Sequence, residues 1–169
     1  MSSDGNDSLD HQSPYALAYR ESDRALSEQQ QVLNQLWARA GTVIAATAVS
    51  TSFLGGIVLD RYRDAAGWQQ ALAVGGLAFF ILTMVLGLWT LWPWHGWKFA
   101  ADGQTLVQWV DAEKADLDRM HKNLALQQTI WWHENHALLT RLFTRFRLAI
   151  ISLLLEIVLW LAVVIGGVG

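Results

Sequence analysis

Residues 148–168 read LAIISLLLEIVLWLAVVIGGV, and Glu156 is the single charged residue in this run. A bilayer core of roughly 30 Å is crossed by a helix of about 20 apolar residues, so the run is long enough to span a membrane. An ionised carboxylate near the middle of a span costs on the order of 2.5–3.5 kcal/mol. Glu156 is therefore expected to face another part of the protein or a wet interior, and not lipid.

Two further runs of the chain have the same apolar character. Residues 40–59 read AGTVIAATAVSTSFLGGIVL and residues 71–92 read ALAVGGLAFFILTMVLGLWTLW, and neither contains a charged residue. Hydrophobic residues make up 53% of the 169-residue chain, and three uncharged runs of this length are hard to bury in a soluble domain of that size. The sequence therefore predicts an all-α integral membrane protein with three transmembrane helices and long cytoplasmic helical extensions.

Basic residues predict how the three spans are oriented. The short connection between the first two spans contains Arg61 and Arg63. The opposite side carries more of them, namely Arg20, Arg24, Arg39, Lys98, Arg141, Arg145 and Arg147. Cytoplasmic loops are enriched in Lys and Arg, so the N-terminus is predicted inside and the C-terminus outside.

The same features predict seven segments along the chain. They are a disordered acidic tail (1–13), a cytoplasmic amphipathic helix (14–39), a first span (40–59), an external loop (60–70), a second span (71–92), a cytoplasmic helical segment (93–147) and a third span (148–168). Ser13 and Pro14 are typical of a helix start, a hydroxyl N-cap followed by proline at the first helical position. The first helix is predicted to run directly into the first span.

Apolar residues recur every seven positions in both cytoplasmic helices, which predicts that these helices pack on each other within or between chains. In the first helix they are Tyr19, Leu26 and Leu33, with Leu36 beside them. In the second they are Leu117, Leu124, Trp131 and Leu138, with Met120, Gln127 and Glu134 at the companion positions. A groove dedicated to a binding partner is the alternative interpretation.

Aromatic and basic side chains are predicted at the level of the lipid headgroups. Indole rings favour that level because the ring stays half dry while its N–H stays wet, and basic residues beside a span favour anionic headgroups. Stacking of the tryptophans on a cofactor is the alternative. The predicted interface residues are Arg39, Lys98, Arg141, Arg145, Arg147, Trp92, Trp94 and Trp97.

The depth of Glu156 predicts its neighbours. It is the ninth residue of its span, roughly 13 Å deep at about 1.5 Å per residue. The hydroxyl residues expected near that depth are Thr47, Ser50, Thr51 and Thr83. Thr47, Thr51 and Gly55 also form a small-xxx-small face that allows close helix contact. Two roles stay open: a neutral Glu156 that holds three helices together, or a polar path across an oligomer.

One pair of histidines is a candidate metal site. His133 and His136 in the stretch WWHENH lie three residues apart and share a helix face, as two Zn²⁺ or Ni²⁺ ligands could. Solvated or interface histidines are the alternative, since no third ligand is evident.

Other classes of site find no support in the sequence. The chain has no cysteine, and it shows no nucleophile–base pair or phosphate-binding glycine loop, so we predict neither an enzyme nor a cofactor. The net charge of −3 does not indicate nucleic acid as a partner.

Residues 37–56, WARAGTVIAATAVSTSFLGG, resemble a group of small three-span bacterial membrane proteins of actinobacterial type. The likeness extends over residues 15–168 and includes the segments MHKNLALQQ and RLFTRFR. The layout, with the pair Arg39–Ala40 entering a small-residue span, also resembles the transmembrane effectors of Pycsar anti-phage systems. That resemblance implies a self-associating inner-membrane protein that takes a cyclic nucleotide signal and impairs the membrane. The alternative is a non-enzymatic scaffold that binds a membrane partner through its cytoplasmic helices.

Overall fold

The computed structural model describes residues 13–61, 67–92, 96–100 and 116–166, which are helical except for short connecting stretches and contain no strand. Helix α1 (Pro14–Ser50) leads into a π-helical segment (Thr51–Gly55) and then into α2 (Gly56–Arg61). Helix α3 covers Gly67–Leu91 and helix α4 covers Leu117–Gly166. The predicted tail, apart from Ser13, lies outside the described residues.

Three helical stretches are long and apolar enough to cross a membrane: Pro14–Val58, Gly67–Leu91 and Leu117–Gly166. They contain most of the three predicted spans in order and indicate a multi-pass membrane protein. Helical structure also enters the predicted external loop from both sides, because α2 continues to Arg61 and α3 begins at Gly67.

The starts of the two long helices each have a side-chain cap, and the cap of α1 is the predicted Ser13. The Ser13 hydroxyl accepts a hydrogen bond from the backbone N–H of Tyr15 at 3.2 Å, and Pro14 is the first helical residue. At α4, the Asp116 carboxylate accepts from the backbone N–H of Arg119 at 3.5 Å. Both caps satisfy backbone donors that have no partner inside the helix. Helix α1 then continues unbroken to Ser50, as predicted.

The described residues divide into two compact units. The helix-pair unit contains residues 13–33 of α1, residues 96–100 and residues 116–138 of α4. The bundle unit contains residues 34–61, helix α3 with Trp92, and residues 139–166 of α4. Helices α1 and α4 thus contribute residues to both units.

The helix-pair unit confirms one predicted stripe and corrects the other. Leu26 and Leu33 of α1 are fully buried, as expected. On α4, Leu124 is buried but Leu117 is 66% exposed, so the predicted position of Leu117 in the seam is wrong. The buried face of α4 passes instead through Gln128 and Asn135. These polar residues can be buried because their side-chain amides find hydrogen-bond partners.

The bundle unit has an apolar core of Val58, Ala73, Trp160 and Val163. The Trp160 ring packs against Gly76 of α3 so closely that a Cβ at position 76 would lie 2.9 Å from Trp160 Cε2. Its indole nitrogen is buried and has no hydrogen-bond partner in the structure. The Trp160 ring is therefore held by packing and not by a hydrogen bond, and a residue larger than glycine at position 76 would clash with it.

We expect Gly76→Ala to lower the thermal stability of the bundle, although alanine is the better helix former by about 0.5–1 kcal/mol. The added methyl group must displace the Trp160 ring, and overpacking of this kind costs about 1–3 kcal/mol. Gly41→Ala is the matched control, because a Cβ at position 41 meets nothing within 4 Å. Thermal unfolding followed by circular dichroism in micelles compares the two, and equal melting temperatures would contradict the close contact.

Candidate functional site: the Glu156 cluster

Glu156 is fully buried in the bundle unit and accepts two hydrogen bonds from hydroxyl groups. Thr47 Oγ1 of α1 donates to Glu156 Oε2 at 3.0 Å. Thr51 is the first residue of the π-helical segment, and its Oγ1 donates to Glu156 Oε1 at 2.5 Å. Each oxygen of the carboxyl group therefore has one donor. Two of the predicted neighbours of Glu156 are therefore in contact with it. We name Glu156, Thr47 and Thr51 the Glu156 cluster.

The other two predicted neighbours are placed differently. Thr83 is fully buried, but its hydroxyl donates to the Phe79 carbonyl oxygen of its own helix at 2.9 Å. Ser50 is half-buried and makes no side-chain hydrogen bond that caps the π-helical segment. Neither residue is brought into hydrogen-bond contact with Glu156 in the structure.

Ser152 is a site residue that sequence reasoning missed. Its hydroxyl donates to the same Phe79 carbonyl oxygen at 3.1 Å and so joins α4 to α3. The sequence contained a pattern that could have identified it, because Ser152 lies four residues before Glu156 and the two share a helix face. One face of α4 thus makes a hydrogen bond to α3 through Ser152. One turn later, Glu156 on the same face accepts the two hydrogen bonds from Thr47 and Thr51.

The π-helical segment was also not predicted. It covers Thr51–Gly55 and begins at the residue that donates to Glu156. Single-turn π-helical segments occur frequently at functional sites. The sequence signal was a run of poor helix formers, with threonine and serine at positions 51 and 52 and glycine at positions 55 and 56.

The chemistry available at the cluster is hydrogen bonding without a cation. Among the residues described, Glu156 forms no ion pair with a lysine, arginine or histidine. Two hydroxyl donors and a carboxyl acceptor can hold helices together, since hydrogen bonds between helices in a bilayer are worth roughly 0.6–2 kcal/mol each. The same three groups would form a polar patch if the helices separated.

Comparison with known protein families, with curated proteins and with solved structures finds no match to this chain. No family is therefore assigned.

The two candidate metal ligands lie around one tryptophan. The His136 ring stacks on Trp132 with centroids 5.0 Å apart, and the His133 ring meets Trp132 edge-on at 5.0 Å. Within the described parts of the chain, no group of three or more histidine or acidic residues is arranged to hold a metal ion. The structure therefore adds no third ligand to the predicted pair.

The predicted interface residues of the bundle unit are mostly exposed. The Arg145 guanidinium lies 4.5 Å from the centroid of the Trp89 ring, a cation–π contact. Trp92 is exposed just after the end of α3. The remaining residues of this set are also exposed, namely Arg39, Arg141 and Arg147. Their contact with lipid stays a prediction, and Trp94 lies outside the described residues.

Lys98 and Trp97 belong to the helix-pair unit and have partners within it. Lys98 Nζ lies 2.9 Å from Glu134 Oε2, and the Trp97 ring stacks on Phe99 with centroids 5.8 Å apart. The fully buried Asn135 accepts from the Lys98 backbone N–H at 3.2 Å and donates to the Lys98 carbonyl at 2.8 Å. Asn135 thus fastens residues 96–100 to α4, a role that the sequence did not reveal.

Side-chain amides also join the two helices of the helix-pair unit. Ser22 Oγ donates to Gln128 Oε1 at 2.6 Å, and Gln29 Nε2 donates to the Trp132 carbonyl oxygen at 3.1 Å. Near the start of the pair, the Tyr19 ring stacks on His121 with centroids 5.6 Å apart. Buried polar contacts of this kind specify the register of a helix pair at some cost in stability. The predicted packing of the two stripes therefore occurs within one chain, through a partly polar seam.

Proposed function

We propose that the protein is a self-associating protein of the bacterial inner membrane whose spans impair the membrane after its cytoplasmic helices receive a signal. The observation that carries this proposal is the Glu156 cluster, a carboxyl group fully buried between helices and satisfied by Thr47 and Thr51. A bundle with such a polar centre is stable when closed. If the helices separate, the same groups must find new partners in a second chain or in water.

The proposed orientation follows the distribution of basic residues. The N-terminus and the helix-pair unit lie in the cytoplasm, and the C-terminus lies outside. The helix-pair unit is the proposed receiver of the signal, since it lies on the proposed cytoplasmic side and its seam buries the polar side chains of Gln29 and Gln128. A cyclic nucleotide is the proposed signal on the resemblance to anti-phage effectors alone.

A second candidate function comes from a different class, a scaffold that binds a membrane partner through the helix-pair unit. One observation favours it. Both oxygens of Glu156 are satisfied within a single chain, so the closed bundle needs no second copy to complete the cluster. Under this alternative Glu156 only stabilises the bundle, and the protein does not change the permeability of the membrane.

Induced expression in bacteria with a membrane-potential dye separates the two candidates. In cells that co-express a nucleotide cyclase to supply the proposed signal, we expect the wild type to depolarise the membrane and Glu156→Gln to abolish depolarisation at a matched membrane level, because a polar path that needs charge cannot use an amide. Thr51→Val should also weaken depolarisation, whereas Thr42→Val, at an exposed threonine that bonds its own helix, should not. A well-inserted wild type that leaves the potential unchanged and purifies with a stoichiometric partner would establish the scaffold instead.

A further inference from the structure

A pocket of about 350 Å³ opens beside the π-helical segment within the bundle unit. We name it the lateral pocket. It is lined by Gly55, Gly56, Ala73, Val74, Leu77 and Trp160, together with the hydroxyl residues that begin the π-helical segment. Its volume falls within the range of roughly 300–1,000 Å³ typical of pockets that hold small molecules.

Small residues create the lateral pocket. A Cβ at Gly56 would meet no atom within 4 Å, so the space beside this glycine is empty. Gly55 approaches the Trp160 ring, which is almost fully buried and fills one side of the pocket. Larger residues at the glycine positions would occupy the space that the helices leave between them.

The mouth of the lateral pocket opens onto the apolar outer surface of α3. Val74 is 58% exposed and Leu77 is 48% exposed, and both also line the pocket. They lie within the predicted second span, where exposed apolar side chains face the acyl chains of the bilayer. In a bilayer this opening is therefore accessible to membrane lipids.

We propose that the lateral pocket binds one acyl chain of a membrane phospholipid. The volume accommodates roughly a dozen groups of the size of a water molecule, at about 30 Å³ each, and a methylene group is of similar size. The acyl chain enters between Val74 and Leu77 and packs on the small residues of the pocket. Thr51 also lines the pocket, so the bound chain lies beside the Glu156 cluster. This inference rests on the membrane placement of the spans and not on the effector function.

Photolabelling of the full chain in vesicles tests the site. The vesicles contain phosphatidylethanolamine and phosphatidylglycerol with a trace of phospholipid that carries a diazirine on its acyl chain. Helix α3 offers a control residue of the same type for each pocket residue. Val85, which is 51% exposed, is the control for Val74, and Leu88, which is 54% exposed, is the control for Leu77. Two probes, with the diazirine near the ester or near the chain end, compensate for differences in depth. Mass spectrometry of the digest measures the labelling ratio within each pair.

We expect Val74 and Leu77 to be labelled several-fold more than their matched residues. Gly56→Leu should bring the ratios close to one, because its side chain fills the pocket. Gly41→Leu, also at a glycine with open space but outside the pocket, should leave the ratios unchanged.

Two results would overturn the proposal. Ratios near one in the wild type would mean that the pocket is ordinary lipid-facing surface, and this comparison needs no variant to fold. Protection of Val74 and Leu77 together with crosslinks between chains would mean that a second copy covers the pocket. Neither result depends on whether the protein depolarises cells.

Discussion

Glu156→Leu is expected to lower the free energy of unfolding of the bundle by about 1–4 kcal/mol. The substitution removes the acceptor of two hydrogen bonds between helices, each worth roughly 0.6–2 kcal/mol in a bilayer. Glu156→Gln keeps the shape of the side chain and one carbonyl acceptor, and its amide can donate to a threonine hydroxyl. We therefore expect the glutamine variant to stay within about 1 kcal/mol of the wild type. Unfolding in micelles, followed by circular dichroism, measures both values.

The threonine partners provide the control for this prediction. Thr47→Val and Thr51→Val should each reproduce part of the loss, and combined with Glu156→Leu they should add little, because the same hydrogen bonds are already gone. Thr90→Val should have a smaller effect, since this fully buried hydroxyl bonds the Leu86 carbonyl of its own helix. A leucine variant as stable as the wild type would contradict the role of the cluster in holding the helices.

The stability of Glu156→Gln also bears on the function. If the glutamine variant is stable but no longer depolarises cells, Glu156 acts on a polar path as well as in packing. If it is stable and the protein never depolarises cells, Glu156 is a structural contact, and the scaffold function gains support. The two measurements together therefore separate stability from activity.

Asn135→Ala is expected to release residues 96–100 from α4. The fully buried Asn135 side chain makes two hydrogen bonds to the Lys98 backbone, and loss of such partners costs about 1–3 kcal/mol. Hydrogen exchange is a direct readout, because the Lys98 N–H is one of the donors. We expect that amide to exchange roughly ten- to a hundred-fold faster, since 1.4 kcal/mol corresponds to a factor of ten.

Glu134→Gln is the matched control at the neighbouring position. It removes the ion pair between Glu134 and Lys98, whose side chains are both about half exposed. Exposed ion pairs contribute only about 0–1 kcal/mol, so the exchange of the Lys98 amide should change little. If the two variants accelerated exchange equally, the side-chain amide of Asn135 would not be what holds this segment.

The neighbours of Glu156 were predictable because the bilayer limits the choices. An ionised carboxylate at that depth is costly in lipid, and hydroxyl residues at matching depth were few. Depth along a straight helix follows from the rise per residue, so counting limited the candidates to Thr47, Ser50, Thr51 and Thr83. Counting could not tell which of these hydroxyl groups donates to Glu156. The Thr83 hydroxyl donates instead to the Phe79 carbonyl of its own helix.

The seam of the helix-pair unit was harder to predict. The heptad pattern favoured Leu117, which is exposed, over Gln128 and Asn135, which are buried. A polar side chain is expected to be exposed to solvent only when it has no hydrogen-bond partner inside the protein. Both of these side-chain amides have such partners. Whether such partners exist depends on residues about a hundred positions away for Gln128, and on the Lys98 backbone for Asn135. No local pattern contains that information.

The sequence by itself indicated three helical stretches apolar enough to cross a membrane, the start of α1 and a set of hydroxyl residues that contains both partners of Glu156, because apolar length, an N-cap and the cost of a buried charge act locally or through depth. Only the tertiary structure decided the π-helical turn at Thr51–Gly55, the fastening of Lys98 by Asn135 and the lateral pocket beside Gly56. These features depend on how side chains from separate helices fit together. Such fit is a property of packing, which the order of residues along one helix does not express.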